Sequence, residues 1–588
     1  MAGRTMNAAT IAPLVPDAEA PAIERPCYRV YEHAITLEGI KLRPGVWHHS
    51  QNLDKSTGEY LPFDEWLCGP LHVEAVTRNE GQDGDYGRLL RLRNADHREL
   101  IWAMPNELLA GKPDTILSVL LSMGLDVDYQ RRAKICQYIA AQYPKDRVIA
   151  ATSTGWHTQS LFIMPRQNIG KGKAIFQSDA ANVDDFRRGG TLEGWQANIG
   201  ALCEGNPLLL LSVCASLAGP LLYHVQRQGG GFHIVGDSST GKSSAILAGA
   251  SVWGHGEDFK RTWRATGNGL EGIASQRNDT LLALDEIGEA DPREIGAVVY
   301  AMANGTGKAR ASRNGSARAA KRWRVMLFSS GELGLSALMA EGGKRSRAGQ
   351  EIRLMDIPAR RTYGAWDSLH GMGGGREFSD AIQRASVTHY GHAGPEFIRK
   401  LLEDGNQDQL PTLLATLCNL YPTTNGQESR AAERFALVAL AGELAIGFGI
   451  LPLPTGAVRN AMLELFEVWR AGRGQGPSED RQILRAVADF IARHGDTRFS
   501  SADDPQGEAR DRAGYWEDNP SGRLYLFNRP GLEDAAKGYD LGRVVLALDS
   551  VGAVAKKDTG KQQALKRLPD GTRQRLYFID PAKLEPES

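Results

Sequence analysis

Apolar positions in the first part of the chain come in short runs broken by turn-forming residues: Tyr28 to Thr36, Leu71 to Thr77, Leu89 to Leu92, Leu100 to Met104 and Val148 to Thr152. Runs of this kind read as strands, and Thr115 to Tyr143 reads as helix. An N-terminal α+β domain over 26–200 is expected. Ahead of it, 1–25 is rich in Ala, Pro and small polar residues and reads as a disordered tail. From about 201 strands alternate with helices, the rhythm of a parallel sheet covered on both faces. Its expected strands are Phe232 to Val235, Phe259 to Arg264, Leu281 to Leu284, Val325 to Phe328 and Glu351 to Ile357.

The most apolar run, Pro207 to Val225, is interrupted by Pro220 and closed by His224, Gln226 and Arg227. It therefore reads as a buried core helix, with Asn206 as N-cap and Pro207 at its first position, and not as a membrane span. Residues 361–475 read mainly as helices: Ser379 to Thr388, Gly394 to Leu402, Gln409 to Leu420, Glu428 to Ile446 and Thr455 to Ala471. Gly472 to Pro477 is a linker. Beyond it come a helix from Ser478 to Arg493, another from Asp540 to Asp549, and a β-like pair, Ala553 to Lys557 and Leu576 to Ile579. That pair is flanked by Lys561, Lys566, Arg567, Arg573 and Arg575, so 476–588 reads as a winged-helix-like domain.

With 588 residues, 42% hydrophobic and 24% charged, the chain has room for several globular domains. Its net charge is -1, so any nucleic-acid binding must come from local basic patches. The six cysteines are scattered without a C-x-x-C pair, which argues for a reducing compartment and against a zinc site. No basic segment followed by an apolar core marks a secretory signal, and a cytoplasmic protein is expected.

The chemistry begins at Gly236-Asp237-Ser238-Ser239-Thr240-Gly241-Lys242-Ser243, which matches G-x-x-x-x-G-K-[ST] between a strand and a helix that starts with Ser244. Backbone N–H groups of such a loop cradle phosphate, Lys242 neutralises the β/γ charge, and the Ser243 hydroxyl reaches Mg²⁺. The alternative, a Gly/Ser-rich surface turn, does not account for the strand before and the helix after. Thr280 to Leu284 is an apolar strand ending in Asp285-Glu286. Carboxylates at the C-terminal end of a strand sit where open α/β sheets bind ligands; Asp285 is the expected Mg²⁺ residue and Glu286 the general base toward water.

Asp291-Pro292-Arg293-Glu294 reads as a helix start and Gly305 as its end. Then Thr306 to Arg324 carries Lys308, Arg310, Arg313, Arg318, Lys321, Arg322 and Arg324 with no acidic residue, around an Asn314-Gly315 turn. Solvated charge runs usually mix signs, so this basic hairpin, 306–324, is expected to contact DNA through Lys308, Arg310, Arg313, Arg318, Lys321 and Arg322. The fourth strand ends at Ser329-Ser330-Gly331-Glu332, where Ser330 or Ser329 is placed to position water. Arg347 is the candidate to reach a neighbouring subunit's nucleotide, with Arg345 and Arg353 as rivals. Arg430 and Arg434 lie one helical turn apart; Arg434 is the candidate for the γ-phosphate, and a salt-bridged face is the alternative.

Several of these segments together resemble a known family, the "domain of unknown function 927" ATPases of mobile-element replication proteins. They are Asn206-Pro207 with its leucine run, Ala218-Gly219-Pro220, Gly229-Gly230-Gly231-Phe232-His233, the phosphate loop, Gly267-Asn268-Gly269-Leu270-Glu271, Leu284-Asp285-Glu286, Asn304 to Arg310 and Ser330-Gly331-Glu332. The resemblance extends back to Thr154-Gly155-Trp156-His157. It implies an AAA+ helicase related to the MCM helicases, a hexameric ring with a pre-sensor-1 hairpin in its pore. Ser346-Arg347 looks like the MCM arginine-finger Ser-Arg, departing from it where Ala348-Gly349 stands for Phe-Asp.

The expected fold is multidomain α/β: an AAA+ P-loop NTPase core with a five-stranded parallel sheet over 201–360, flanked by the N-terminal α+β domain, a helical lid and the winged-helix-like C-terminal domain. The expected function is that of an ATP-dependent DNA helicase or translocase replicating a mobile genetic element, with ATP and Mg²⁺ as cofactors. DNA, further copies of the chain and an initiator, primase or polymerase are its expected partners. One alternative is an AAA+ protein remodeller or helicase loader, which would prefer an aromatic-hydrophobic pore loop. Another is a nucleotide-gated initiator or defence ATPase without processive unwinding.

Overall fold

The computed structural model describes residues 23–79, 84–177, 185–308, 310–311, 317–318, 320–344, 346, 348–473, 478–504, 509, 511–520, 522–568 and 571–584. These fall into two compact units, one ending at Phe186 and the other starting at Arg187. Residues 187–200, grouped by sequence with the N-terminal domain, thus belong to the second unit. Most of the tail, Arg313, Arg345, Arg347, the Asn314-Gly315 turn and most of the Gly472 to Pro477 linker lie outside the described residues.

In the first unit, strand Leu71–Arg78 pairs antiparallel with Gly87–Arg93, which pairs antiparallel with Glu99–Pro105. On the other side it pairs parallel with Arg147–Ala151. Two helices, Pro113–Ser122 and Arg132–Ala141, replace the single helix expected from 115 to 143; Gly124, at φ 83°, breaks the run. Two strands, Gly45–Leu53 and Tyr60–Cys68, escaped the sequence reading because their facing positions are polar: His49 Nδ1 lies 2.8 Å from Asp64 Oδ1, and Asp64 is also bound by Arg25.

The second unit is built on a parallel sheet of five strands: β1 (Gly230–Val235), β2 (Arg261–Thr262), β3 (Thr280–Asp285), β4 (Val325–Gly331) and β5 (Leu354–Pro358), in the order β2-β3-β4-β1-β5. β1, β3 and β4 are buried almost throughout, as expected of central strands covered on both faces. β2 is shorter than its apolar pattern, since Gly256–Phe259 forms one helical turn just before it. β5 starts late for the same reason, Ala348–Glu351 being helical.

Every residue of helix α1 (Pro207–Ala218) is buried, so the apolar run is a core helix. Asn206, however, does not cap it. Its carboxamide accepts the N–H groups of Asp367 (2.9 Å) and Ser368 (3.1 Å) and donates to the carbonyls of Leu202 (3.0 Å) and Ser368 (2.9 Å), tying α1 to the segment after β5. α1 packs on α2 (Lys242–Ser251), where Ser216 donates to the Gly249 carbonyl at 2.8 Å. Helix α3 (Gly267–Gln276) follows β2. Helix α4 (Ile295–Asn304) begins after the expected start, because Asp291 accepts the Arg293 N–H at 2.8 Å and caps a preceding turn. Gly305 ends α4 at φ 68°, where a Cβ would lie 2.0 Å from the Trp323 carbonyl oxygen.

Further on, α5 (Leu335–Glu341) packs on α4, α6 (Gly375–Thr388) packs on α2, and the long α7 (Gly426–Gly447) packs on α1 and on helices Leu410–Cys418 and Ala457–Arg473, while helix Ala393–Asp404 also lies against α1. The C-terminal segment buries Ile483, Val487, Phe499, Phe527, Val544, Leu548 and Ile579 in its own core. Its expected strand pair is present as Val554–Lys556 against Arg573–Ile579, antiparallel, and Ala564–Arg567 lies on the same partner. Strands Gly514–Asn519 and Gly522–Phe527, not anticipated, extend this sheet.

Asp356, on β5, accepts the Leu335 N–H at the start of α5 (3.2 Å to Oδ2). Burial, reinforced by the charge of Glu351, pushes its carboxyl up to about 7. The folded-state value exceeds the unfolded one, so its contribution is complete below about pH 4 and is lost as pH rises through 7. Relative to Asp356→Asn, the wild type should lose stability between pH 5 and 8 in urea titrations; a pH-independent difference would contradict this.

Candidate nucleotide-binding site

The phosphate loop leaves the buried strand β1 and turns into α2 through Ser239 (φ 62°) and Gly241 (φ 102°). Gly241 is required twice, because φ lies in the left-handed region and a Cβ would sit 2.8 Å from the Trp366 ring. Asp237, Ser238 and Ser239 are exposed, while the loop's flank is held by Gly236 N–H on the Gly331 carbonyl (3.2 Å) and Ala365 N–H on the Thr240 carbonyl (2.7 Å). Lys242 is buried and arches back over its own loop, its Nζ donating to the carbonyls of Gly236 (2.8 Å) and Asp237 (2.5 Å). Ser244 is buried with its hydroxyl turned to α6, accepting from Gln383 at 3.0 Å.

Asp285 closes β3 beside this loop. Its Oδ1 accepts from Ser243 Oγ at 3.3 Å and from Ser330 Oγ, and its Oδ2 lies 3.3 Å from Lys260 Nζ. Glu286 follows with φ 56°, which turns the chain off the strand and leaves its side chain exposed. Partial burial, with the charges of Asp285 and Glu332, raises the Glu286 carboxyl above its ordinary range. A hydroxyl and a carboxylate converging beside a phosphate loop are hard oxygen donors that fit Mg²⁺ shared with a nucleotide.

The two serines left open by sequence separate here. Ser330 binds Asp285 and lies 3.5 Å from the Glu286 N–H. Ser329, on the opposite face of the strand, belongs to a buried relay: Trp263 Nε1 donates to Ser329 Oγ (2.8 Å), and Ser329 Oγ lies 2.9 Å from His233 Nδ1. His233 Nε2 lies 3.0 Å from the Leu333 carbonyl and so must carry the proton. Burial, helped by the charge of Lys242, lowers His233 to about 4, so the ring is neutral at ordinary pH. The relay joins β1 and β4 to Trp263, the residue that follows β2. Its only sequence signal is a histidine inside an otherwise apolar strand, and Lys260 had none.

Arg434 corrects the sequence reading. It is partly buried at the other end of β1, its guanidinium donating to the Gly229 carbonyl (2.9 Å) and to that of Ile352. Six residues of β1 at about 3.3 Å each separate it from the loop. Arg353 is also engaged within the chain, on Asn304 Oδ1 (3.1 Å) and the Gly349 carbonyl (2.8 Å).

Between α4 and β4 the chain forms the expected hairpin: Arg310–Ala311 pairs with Ala317–Arg318, and Thr306 bridges to Arg322. Lys308, Lys321 and Arg322 are exposed at its base. Arg324 is not part of that charge, since it forms a two-pronged ion pair with fully buried Asp279 (2.6 and 2.9 Å). The base is fastened to α3, where buried Glu271 accepts the Lys308 N–H at 3.4 Å. At the C-terminus Lys566 is paired with Glu517 and Arg575 with Asp558, leaving Lys561, Arg567 and Arg573 exposed.

Residues 36–322 match the family described as "Domain of unknown function (DUF927)". No curated protein matches the chain. A solved structure described as "SCCmec type IV Cch - active helicase" is similar at a TM-score of 0.68 and 18% identity, over 90% of this chain and 96% of that one. At that identity the likeness is one of fold. Among the described residues no helix is long and apolar enough to cross a membrane.

Arg434→Met removes the donors of two buried carbonyls. It should cost on the order of 2–4 kcal/mol in denaturant titrations, while the folded protein binds nucleotide with unchanged affinity. Weakened nucleotide binding at full folding would return Arg434 to the site.

Proposed function

We propose, from the match of residues 36–322 to the DUF927 family, that this protein is an ATP-hydrolysing DNA helicase or translocase of the AAA+ type, serving replication of a mobile genetic element. The observation that carries the reading is the convergence of Ser243, Asp285 and Ser330 beside the phosphate loop, with Glu286 next in line. Lys242 and the loop N–H groups bind the phosphates, Glu286 takes the proton of the attacking water, and Ser330 orients the Asp285 carboxylate. Ser243 and Asp285 would hold Mg²⁺, which would offset phosphate charge.

The sheet order, with the phosphate loop on β1 between β4 and β5, supports the AAA+ assignment. The helices over 361–475 then serve as lid and the C-terminal segment as a winged-helix-like DNA contact. In this reading the active form is a hexamer, and Arg347 reaches the neighbour's nucleotide. The basic hairpin between α4 and β4 supports DNA, and not protein, as the moved polymer, and the neighbour described as an active helicase supports unwinding.

Glu286→Gln should bind ATP while its turnover falls by at least about a hundredfold; undiminished phosphate release would refute the site. Changing Lys308, Lys321 and Arg322 to Ala should weaken DNA binding and reduce the slope of log K against log salt by up to about three. A wild-type slope would remove the hairpin from the DNA path. Displacement of one strand of a forked duplex, lost in Lys242→Ala, distinguishes a helicase from a DNA-binding switch.

A further inference from the structure

Lys260 stands just past the helical turn Gly256–Phe259, where β2 begins, and no nucleotide-site motif includes it. Its ammonium lies 3.3 Å from Asp285 Oδ2 and 3.0 Å from Glu257 Oε2. The other Asp285 oxygen takes the hydroxyls of Ser243 and Ser330. Both oxygens of the carboxylate are thus engaged by donors of this chain, and the donor on Oδ2 carries a full charge. The Lys260 side chain is only 19% exposed, so that charge is poorly screened by water, whereas Glu257 is 52% exposed. A divalent cation on Asp285 meets this ammonium at close range, where like charges repel strongly.

We propose that Lys260 is a positioning residue that acts as an internal competitor for Mg²⁺ at Asp285, with Glu257 as the anchor that draws its ammonium aside. The inference rests on the reading of Asp285 as the Mg²⁺ carboxylate. It follows that the bare ion is disfavoured and that the metal enters with the negative charge of nucleotide phosphates. Lys260 thereby makes occupancy of the metal site conditional on nucleotide.

Mn²⁺, a paramagnetic stand-in for Mg²⁺, tests this by electron paramagnetic resonance titration of the full chain with and without ADP. Lys260→Met should bind Mn²⁺ at least tenfold tighter, with the larger gain when ADP is absent, and Lys260→Arg should stay near the wild type. Glu257→Gln, an exposed change, should move affinity the opposite way, weakening it several-fold, because the released ammonium then belongs to Asp285 alone. Opposite shifts from two neighbouring substitutions are not produced by loss of folding. Unchanged Mn²⁺ affinity in Lys260→Met overturns the proposal while leaving the Asp285 assignment intact, provided Asp285→Asn still abolishes Mn²⁺ binding. Wild-type Mn²⁺ binding by Asp285→Asn overturns both.

Discussion

Asp285 ends a strand whose preceding five residues are fully buried, so its carboxylate stands at a fixed point on the rim of the sheet. Ser243 at the start of α2, Ser330 at the end of β4 and Lys260 at the start of β2 all reach it. A neutral residue there would leave Lys260 beside no charge but that of Glu257. The separate elements that carry the phosphate loop, the carboxylate pair and the polar end of β4 are thereby held to one another through a single side chain.

Behind that point the interior contains polar groups, and each is placed by its partners. A buried donor or acceptor left unpaired costs roughly 1–3 kcal/mol, so such groups act as strong positional restraints. The neutral His233 joins Ser329, Trp263 and the Leu333 carbonyl, and it shares cross-strand register with Ser329. Successive side chains of a strand face opposite ways, so with Ser329 held in this relay, Ser330 is turned toward Asp285. The same economy governs the base of the basic hairpin. Asp279 takes Arg324 and buried Glu271 takes the Lys308 N–H, so the hairpin is anchored on two sides while Lys308, Lys321 and Arg322 face solvent.

The core was legible where local pattern and tertiary environment agree. Apolar runs between turn residues marked all five strands of the parallel sheet, and the phosphate-loop spacing marked the connection from β1 to α2. Pattern failed where polar side chains hold a strand, as at His49 opposite Asp64, and where a capping side chain starts a helical turn early, as His255 does before β2. Asn206 shows the same limit: its type and place before Pro207 suggest an N-cap, yet its carboxamide is taken by backbone groups of Ser368 and Asp367, far away in sequence.

The sequence by itself determined the chemical inventory of the site: a phosphate loop, a strand-ending carboxylate pair and a basic hairpin ahead of the fourth strand. Each is a contiguous stretch whose residue types and spacing are demanded by the backbone conformation it must adopt. Only the tertiary structure decided which of two adjacent serines meets Asp285, that Arg434 holds up the far end of β1 and not the phosphate side, and that Lys260 shares a carboxylate with Ser243. Those outcomes depend on which strands lie side by side and in what register, and strand order in a parallel sheet is set by crossovers between distant segments, which no local period records.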